Sequence, residues 1–175
     1  MLIIMCGPPG CGKSKVVDLL LTEVDADCVR PSDWMPENIE TLGPQLERDY
    51  RIQCWKTGIE KAQELVKDLP DSEIIILDCA NAKYHTADPT IRLANKLGHK
   101  TVLLYVNAKS FKCRDRMGEN WIGDDIFANY IEDIKTSLPK YRKSCRSLLV
   151  IDNNSDTEML VKKVEVIRGK LCLST

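Results

Sequence analysis

Eight consecutive residues, Gly7-Pro8-Pro9-Gly10-Cys11-Gly12-Lys13-Ser14, have the types and spacing needed to hold a polyphosphate. Glycines let a backbone fold around an anion with its N–H groups turned inward. A lysine directly after the last glycine can reach the β- and γ-phosphates, and the Ser14 hydroxyl can ligate Mg²⁺. The apolar run Leu2-Ile3-Ile4-Met5-Cys6 comes before the octet, and Lys15-Val16-Val17-Asp18-Leu19-Leu20-Leu21 follows it. Strand, glycine-rich turn and helix in that order give G-x-x-x-x-G-K-S its meaning as a phosphate loop, with the helix N-terminus adding positive potential. Binding of a nucleoside triphosphate is the resulting expectation.

Further candidates follow apolar runs later in the chain. Asp78 closes Ile74-Ile75-Ile76-Leu77, where a carboxylate can hold Mg²⁺ directly or through water; the plainer reading is a strand-end aspartate capping a turn. Asn81, three residues on, could orient a phosphate or a water, or simply form the turn. Asp33 lies in Pro31-Ser32-Asp33-Trp34 after a second short strand, placed to accept the proton of an attacking hydroxyl, although Ser32 or Asp33 could also cap the next element. Arg114 and Arg116, with Lys112, follow the fourth strand in a segment flanked by Gly118 and Gly123, as arginines of a mobile lid would. Arg48, Arg51 and Lys56 fall on the polar side of a long helical stretch, where they could grip an anionic acceptor or form an ordinary solvated face.

These groups need a scaffold, and short apolar runs alternating with longer helical stretches predict an α/β parallel sheet. Strands are expected at 2–6, 27–30, 74–78, 101–106 and 148–152. Helices are expected from about Lys13 to Glu23, through a long region after Pro36, over 86–97 with Gly98 as its cap, from Asp124-Asp125 to Leu138 before Pro139, and over 156–168. In the long region Leu46, Tyr50, Trp55, Ile59, Ala62, Val66 and Leu69 mark one buried face, with Pro70-Asp71 as its stop. The whole reads as a P-loop NTPase fold, a five-stranded parallel sheet flanked by helices with a short helical lid, in one domain over 1–175. Ligands of such a sheet bind beyond the carboxyl ends of its strands.

Composition narrows the classes. With 43% hydrophobic and 29% charged residues the chain reads as an ordinary globular domain, and no apolar run approaches a membrane span. A formal net charge of −1 means that any nucleic acid would be held by a local patch rather than by an overall basic field. The eight cysteines form no C-x-x-C pair and only two histidines accompany them, so a zinc site is not expected; without a secretory segment they read as reduced cytoplasmic thiols. The chain also lacks an N-K-x-D guanine signature and a transporter signature, which argues against a nucleotide-dependent switch or motor.

With Gly7–Ser14, Ser32-Asp33-Trp34, Glu47–Arg51, Ile74–Asp78 with Cys79-Ala80-Asn81, and Arg92-Leu93-Ala94 ahead of Leu97-Gly98, residues 1–155 resemble the P-loop kinase family of phage-type polynucleotide 5′-hydroxyl kinases. The resemblance implies ATP and Mg²⁺, Asp33 as general base, Lys13 and Ser14 at phosphate and metal, and Arg114 or Arg116 as the lid arginine. The implied acceptor is the 5′-hydroxyl of a polynucleotide. The turn at Asp33 carries one acid and no basic residue after it, which keeps a nucleoside, a sugar or a modified base in DNA open as acceptor.

Overall fold

The computed structural model describes residues 1–41, 43–70 and 73–172. Its strands are β1 (Leu2–Cys6), β2 (Asp27–Val29), β3 (Ile75–Leu77), β4 (Thr101–Asn107) and β5 (Ser147–Asp152). Between them run α1 (Lys13–Leu21), α2 (Pro44–Asp68), α3 (Tyr84–Lys96), α4 (Ser110–Met117) and α5 (Asp124–Ser144), with α6 (Thr157–Cys172) last. All strand pairs are parallel, in the order β2-β3-β1-β4-β5. The fold is the expected α/β arrangement of a five-stranded parallel sheet flanked by helices.

β1 is central and has no exposed residue, which is why it reads as an unbroken apolar run rather than an alternating one. Alternate side chains still choose opposite layers. Ile3 and Met5 join Val16, Val17 and Leu20 of α1 and Val164 and Ile167 of α6. Leu2, Ile4 and Cys6 join Ala62 and Val66 of α2, Ile91 of α3 and Tyr141 of α5. The sheet is thus covered on both faces, and the loops at its carboxyl edge carry the polar residues.

Two expectations need correction. The stripe along α2 is not buried throughout: Ile59, Ala62, Val66 and Leu69 are, but Leu46 and Tyr50 are 49% and 42% exposed. The first turns of α2 extend past the sheet, so its apolar spacing outlasts the core beneath it. Nor does Pro139 end α5, which continues to Ser144 with the proline inside it. A proline there loses a helical hydrogen bond, but the turn beyond it carries Tyr141, which is fully buried among residues of β1, β3, α2 and α3. Tertiary packing outweighs the local preference. α2 stops at Asp68, and Asp71 of the expected stop lies outside the described residues. Gly98, at φ 84°, follows α3 as the expected left-handed terminator. Among the described residues no helix is long and apolar enough to cross a membrane.

Candidate active site

The loop between β1 and α1 folds as its glycines require. Gly10 and Gly12 take φ values of 73° and 92°, a region that side chains resist. Space is as restrictive as conformation: a Cβ on Gly10 would lie 2.6 Å from the Cys113 carbonyl oxygen, and one on Gly12 would lie 2.4 Å from Asn153 Nδ2. Lys13 opens α1 with its ammonium folded back over the loop, donating to the carbonyls of Gly7 at 2.9 Å and Pro8 at 3.1 Å. Ser14, next to it, is exposed.

Asp78 and Asp33 occupy the two strand ends on one side of this loop. Asp78 follows β3, is 6% exposed, and accepts a hydrogen bond from Arg30 Nε at 2.9 Å. The same guanidinium pairs with Asp18 of α1. Neither Arg30 nor Asp18 stands out by local spacing; the available signal is a basic residue directly after β2 beside a strand closed by an acid. Asp33 is exposed on a 3-10 turn, Pro31–Trp34, that rests on α2 through Pro31 against Gly58 and through the Trp34 carbonyl, which accepts from Cys54 Sγ at 3.2 Å.

The two arginines of α4 part company. Arg114 pairs with Asp124 and lies over Trp121, its guanidinium carbon 5.2 Å from the ring centroid. Arg116 turns to the phosphate loop, donating to the Cys11 carbonyl at 3.3 Å and the Asn153 carbonyl at 2.8 Å. Asn153, 5% exposed in the turn after β5, is not singled out by sequence; it only falls at the sheet's carboxyl edge, where ligands of such a sheet bind.

On the other flank, Asn81 is buried with φ 41° and donates from Nδ2 to the Met5 carbonyl at 2.9 Å, while its Oδ1 has no partner. Its backbone carbonyl accepts the Tyr141 hydroxyl at 2.9 Å, tying the loop to α5. Asn81 lines a cavity of about 440 Å³ together with Trp55, Lys83, Thr86 and Tyr130. Trp55, Lys83 and Tyr130 also line a second cavity of about 670 Å³, which reaches Arg48 and Arg51 on the overhanging part of α2. The two cavities share these three residues, and Glu47 lines the outer one beside the arginines. Arg51 is already paired with Glu47 at 2.8 Å.

The thiols around the loop are buried. Burial pushes Cys6 up to about 12 from an ordinary value near 9, and it raises Cys11 as well; nearby Lys13 pulls the other way in both and does not prevail. Neither is a nucleophile at neutral pH. Among the described residues no three His, Cys, Asp or Glu side chains gather as a metal site. One hydroxyl and one carboxylate still suit Mg²⁺, which takes a few protein oxygens and fills its shell with water and phosphate. Ser14 stands exposed at the start of α1, and the Asp78 carboxylate is held by Arg30.

Comparison with known proteins gives a family and a fold. Sequence comparison with curated proteins finds no match. Among solved structures the chain is similar to a deoxyadenosine kinase of M. mycoides with dCMP and dCDP bound, at TM-score 0.64 and 14% identity over 100% of both chains. It is also similar to Kti12 of Chaetomium thermophilum in complex with ADP-AlF3, at TM-score 0.60 and 13% identity over 95% of this chain and 97% of that one. A sugar kinase of Janibacter sp. HTCC2649 follows at TM-score 0.54 and 16% identity, covering 94% and 92%. The family model AAA_33, described as an AAA domain, matches residues 2–119, and the chain belongs to that family.

Proposed function

We propose that this protein is an ATP-dependent kinase that transfers the γ-phosphate to a hydroxyl acceptor, foremost the 5′-hydroxyl of a polynucleotide. The observation that carries this reading is a pair of cavities that share Trp55, Lys83 and Tyr130, one reaching Asn81 and the other Arg48 and Arg51. Planar rings suit stacked bases and the outer arginines suit phosphates, so a strand end fits them better than a compact sugar does. The family and the fold neighbours supply the other half, a nucleotide-binding kinase scaffold.

In this reading the loop Gly7–Ser14 holds the triphosphate, and Lys13 leaves the Gly7 and Pro8 carbonyls for the β- and γ-phosphates. Asp33 accepts the proton of the acceptor hydroxyl. That oxygen forms its bond to the γ-phosphorus as the bond to the β-bridging oxygen breaks, and ADP leaves with the electron pair. Arg114 and Arg116 of α4 supply positive charge from the lid side. Ser14 and Asp78 would hold Mg²⁺, whose charge would offset that of the phosphates. Arg48, Arg51 and Asn81 bind the acceptor. We place the reaction in the cytoplasm, in a single domain.

A nucleoside is the second reading. It is favoured by the inner cavity of about 440 Å³, which suits one small molecule without the outer cavity. The two readings separate in an Arg48→Ala/Arg51→Ala double variant. The strand-end reading expects KM for a 5′-hydroxyl oligonucleotide to rise at least tenfold, with KM for ATP unchanged. An oligonucleotide KM equal to wild type, with efficient nucleoside phosphorylation, would select the second reading.

A further inference from the structure

We infer that Asn153 and Arg116 are positioning residues that hold the phosphate loop in its anion-binding shape from behind, through its carbonyl groups. The inference rests on the nucleotide-binding part of the proposal above and on neither the acceptor nor phosphate transfer.

A peptide loop that turns its N–H groups toward an anion must turn the attached carbonyls away, because the peptide unit is planar and trans. Those outward carbonyls are then polar groups in need of partners. The Cys11 carbonyl has two: Asn153 Nδ2 donates to it at 2.8 Å and Arg116 at 3.3 Å. Its peptide partner is the Gly12 N–H, on the opposite side of the same peptide plane, immediately before Lys13. Donors on the carbonyl polarise that N–H and strengthen it as an anion donor. Arg116 therefore brings its charge to the site without touching phosphate.

The brace is itself anchored. The Asn153 backbone N–H donates to the Asn107 carbonyl at the end of β4 at 2.8 Å, and its own carbonyl accepts from Arg116 at 2.8 Å. Asn154 Oδ1 accepts the Lys109 N–H at 2.7 Å, joining the turn after β5 to the start of α4. Gly12 completes the fit, since only a residue without a side chain lets the Asn153 amide approach so closely. The division of labour between the α4 arginines follows: Arg116 is fixed to the loop, while Arg114, held by exposed Asp124, is the one able to swing onto a nucleotide.

The test is calorimetric binding of ADP and of ATP, without acceptor, to wild type, Asn153→Ala, Arg116→Met and the double variant. Each single variant is expected to bind both nucleotides roughly tenfold more weakly, as loss of a hydrogen bond to a buried, charge-binding unit implies. The double variant should lose less than the product of the two, since both act on the Cys11 carbonyl. Asn153→Leu keeps the branched shape and lacks the donor, so it should match Asn153→Ala and serves if the alanine variant does not fold. Selective loss of ATP over ADP in Arg116→Met would place that guanidinium on the γ-phosphate and overturn the inference. So would wild-type affinity in both Asn153 variants, or a fall in melting temperature with no change in affinity, which is a purely structural role. Failure of the wild type to bind either nucleotide overturns the phosphate-loop reading itself, and the brace with it. Sound binding without phosphate transfer would instead leave the brace standing and remove the kinase proposal.

Discussion

The chemistry proposed for this chain depends on a few side chains with separable duties. Lys13→Ala should abolish phosphate transfer, because nothing else in the loop carries a charge. Asp33→Asn should bind ATP as wild type does while transfer falls by at least a hundredfold, the range of a lost general base; calorimetry and a transfer assay on the same preparation check both. The glycine-rich turn between β1 and α1 was legible in the sequence because its octet is contiguous and its glycines have a local reason. Asn153 and Arg30 were not. Their importance comes from contacts across 142 and 48 residues, which no local spacing encodes. Asp78 was read as a carboxylate at a strand end, and it is one, but its partner Arg30 only becomes visible once β2 and β3 lie side by side.

Helices and loops show where local pattern and tertiary packing disagree. The apolar spacing of α2 was read as one continuous buried face, whereas the core covers only its second half. Ile59→Ala should therefore cost about 2–5 kcal/mol, while Leu46→Ala should stay within about 0.5 kcal/mol, measured by urea unfolding. If the two costs were equal, the first turns of α2 would not be an overhang. α5 was expected to stop at Pro139 and instead delivers Tyr141, whose hydroxyl holds the Asn81 carbonyl. Tyr141→Phe leaves that buried carbonyl a donor short and should cost about 1–3 kcal/mol. In the proposed reading it should also raise KM for the acceptor more than KM for ATP, because Asn81 lines the acceptor cavity.

Taken as a whole, the molecule is a sheet whose central strand is buried on both faces and whose carboxyl edge collects the polar loops. That plan was legible from alternating strand and helix patterns, since burial on both faces leaves strands uniformly apolar. The cavities proposed for the acceptor were not, because α2, α3 and α5 line them only by converging. Burial also gives the molecule a pH signature. Cys6 and Cys145 are both pushed up to about 12 from near 9, chiefly by desolvation. Their contribution to stability is complete below pH 9 and is lost as pH rises toward about 12, with a slope of up to about 1.4 kcal/mol per pH unit for each thiol. Cys6→Ala/Cys145→Ala should flatten the alkaline limb of unfolding free energy against pH. The central claim is phosphate transfer to a strand end, and it is tested most directly by incubating the protein with γ-labelled ATP, Mg²⁺ and a 5′-hydroxyl oligonucleotide, with Asp33→Asn in parallel. Label on the 5′ end is predicted with wild type and at least a hundredfold less with the variant; an unlabelled oligonucleotide despite bound ATP would contradict the claim.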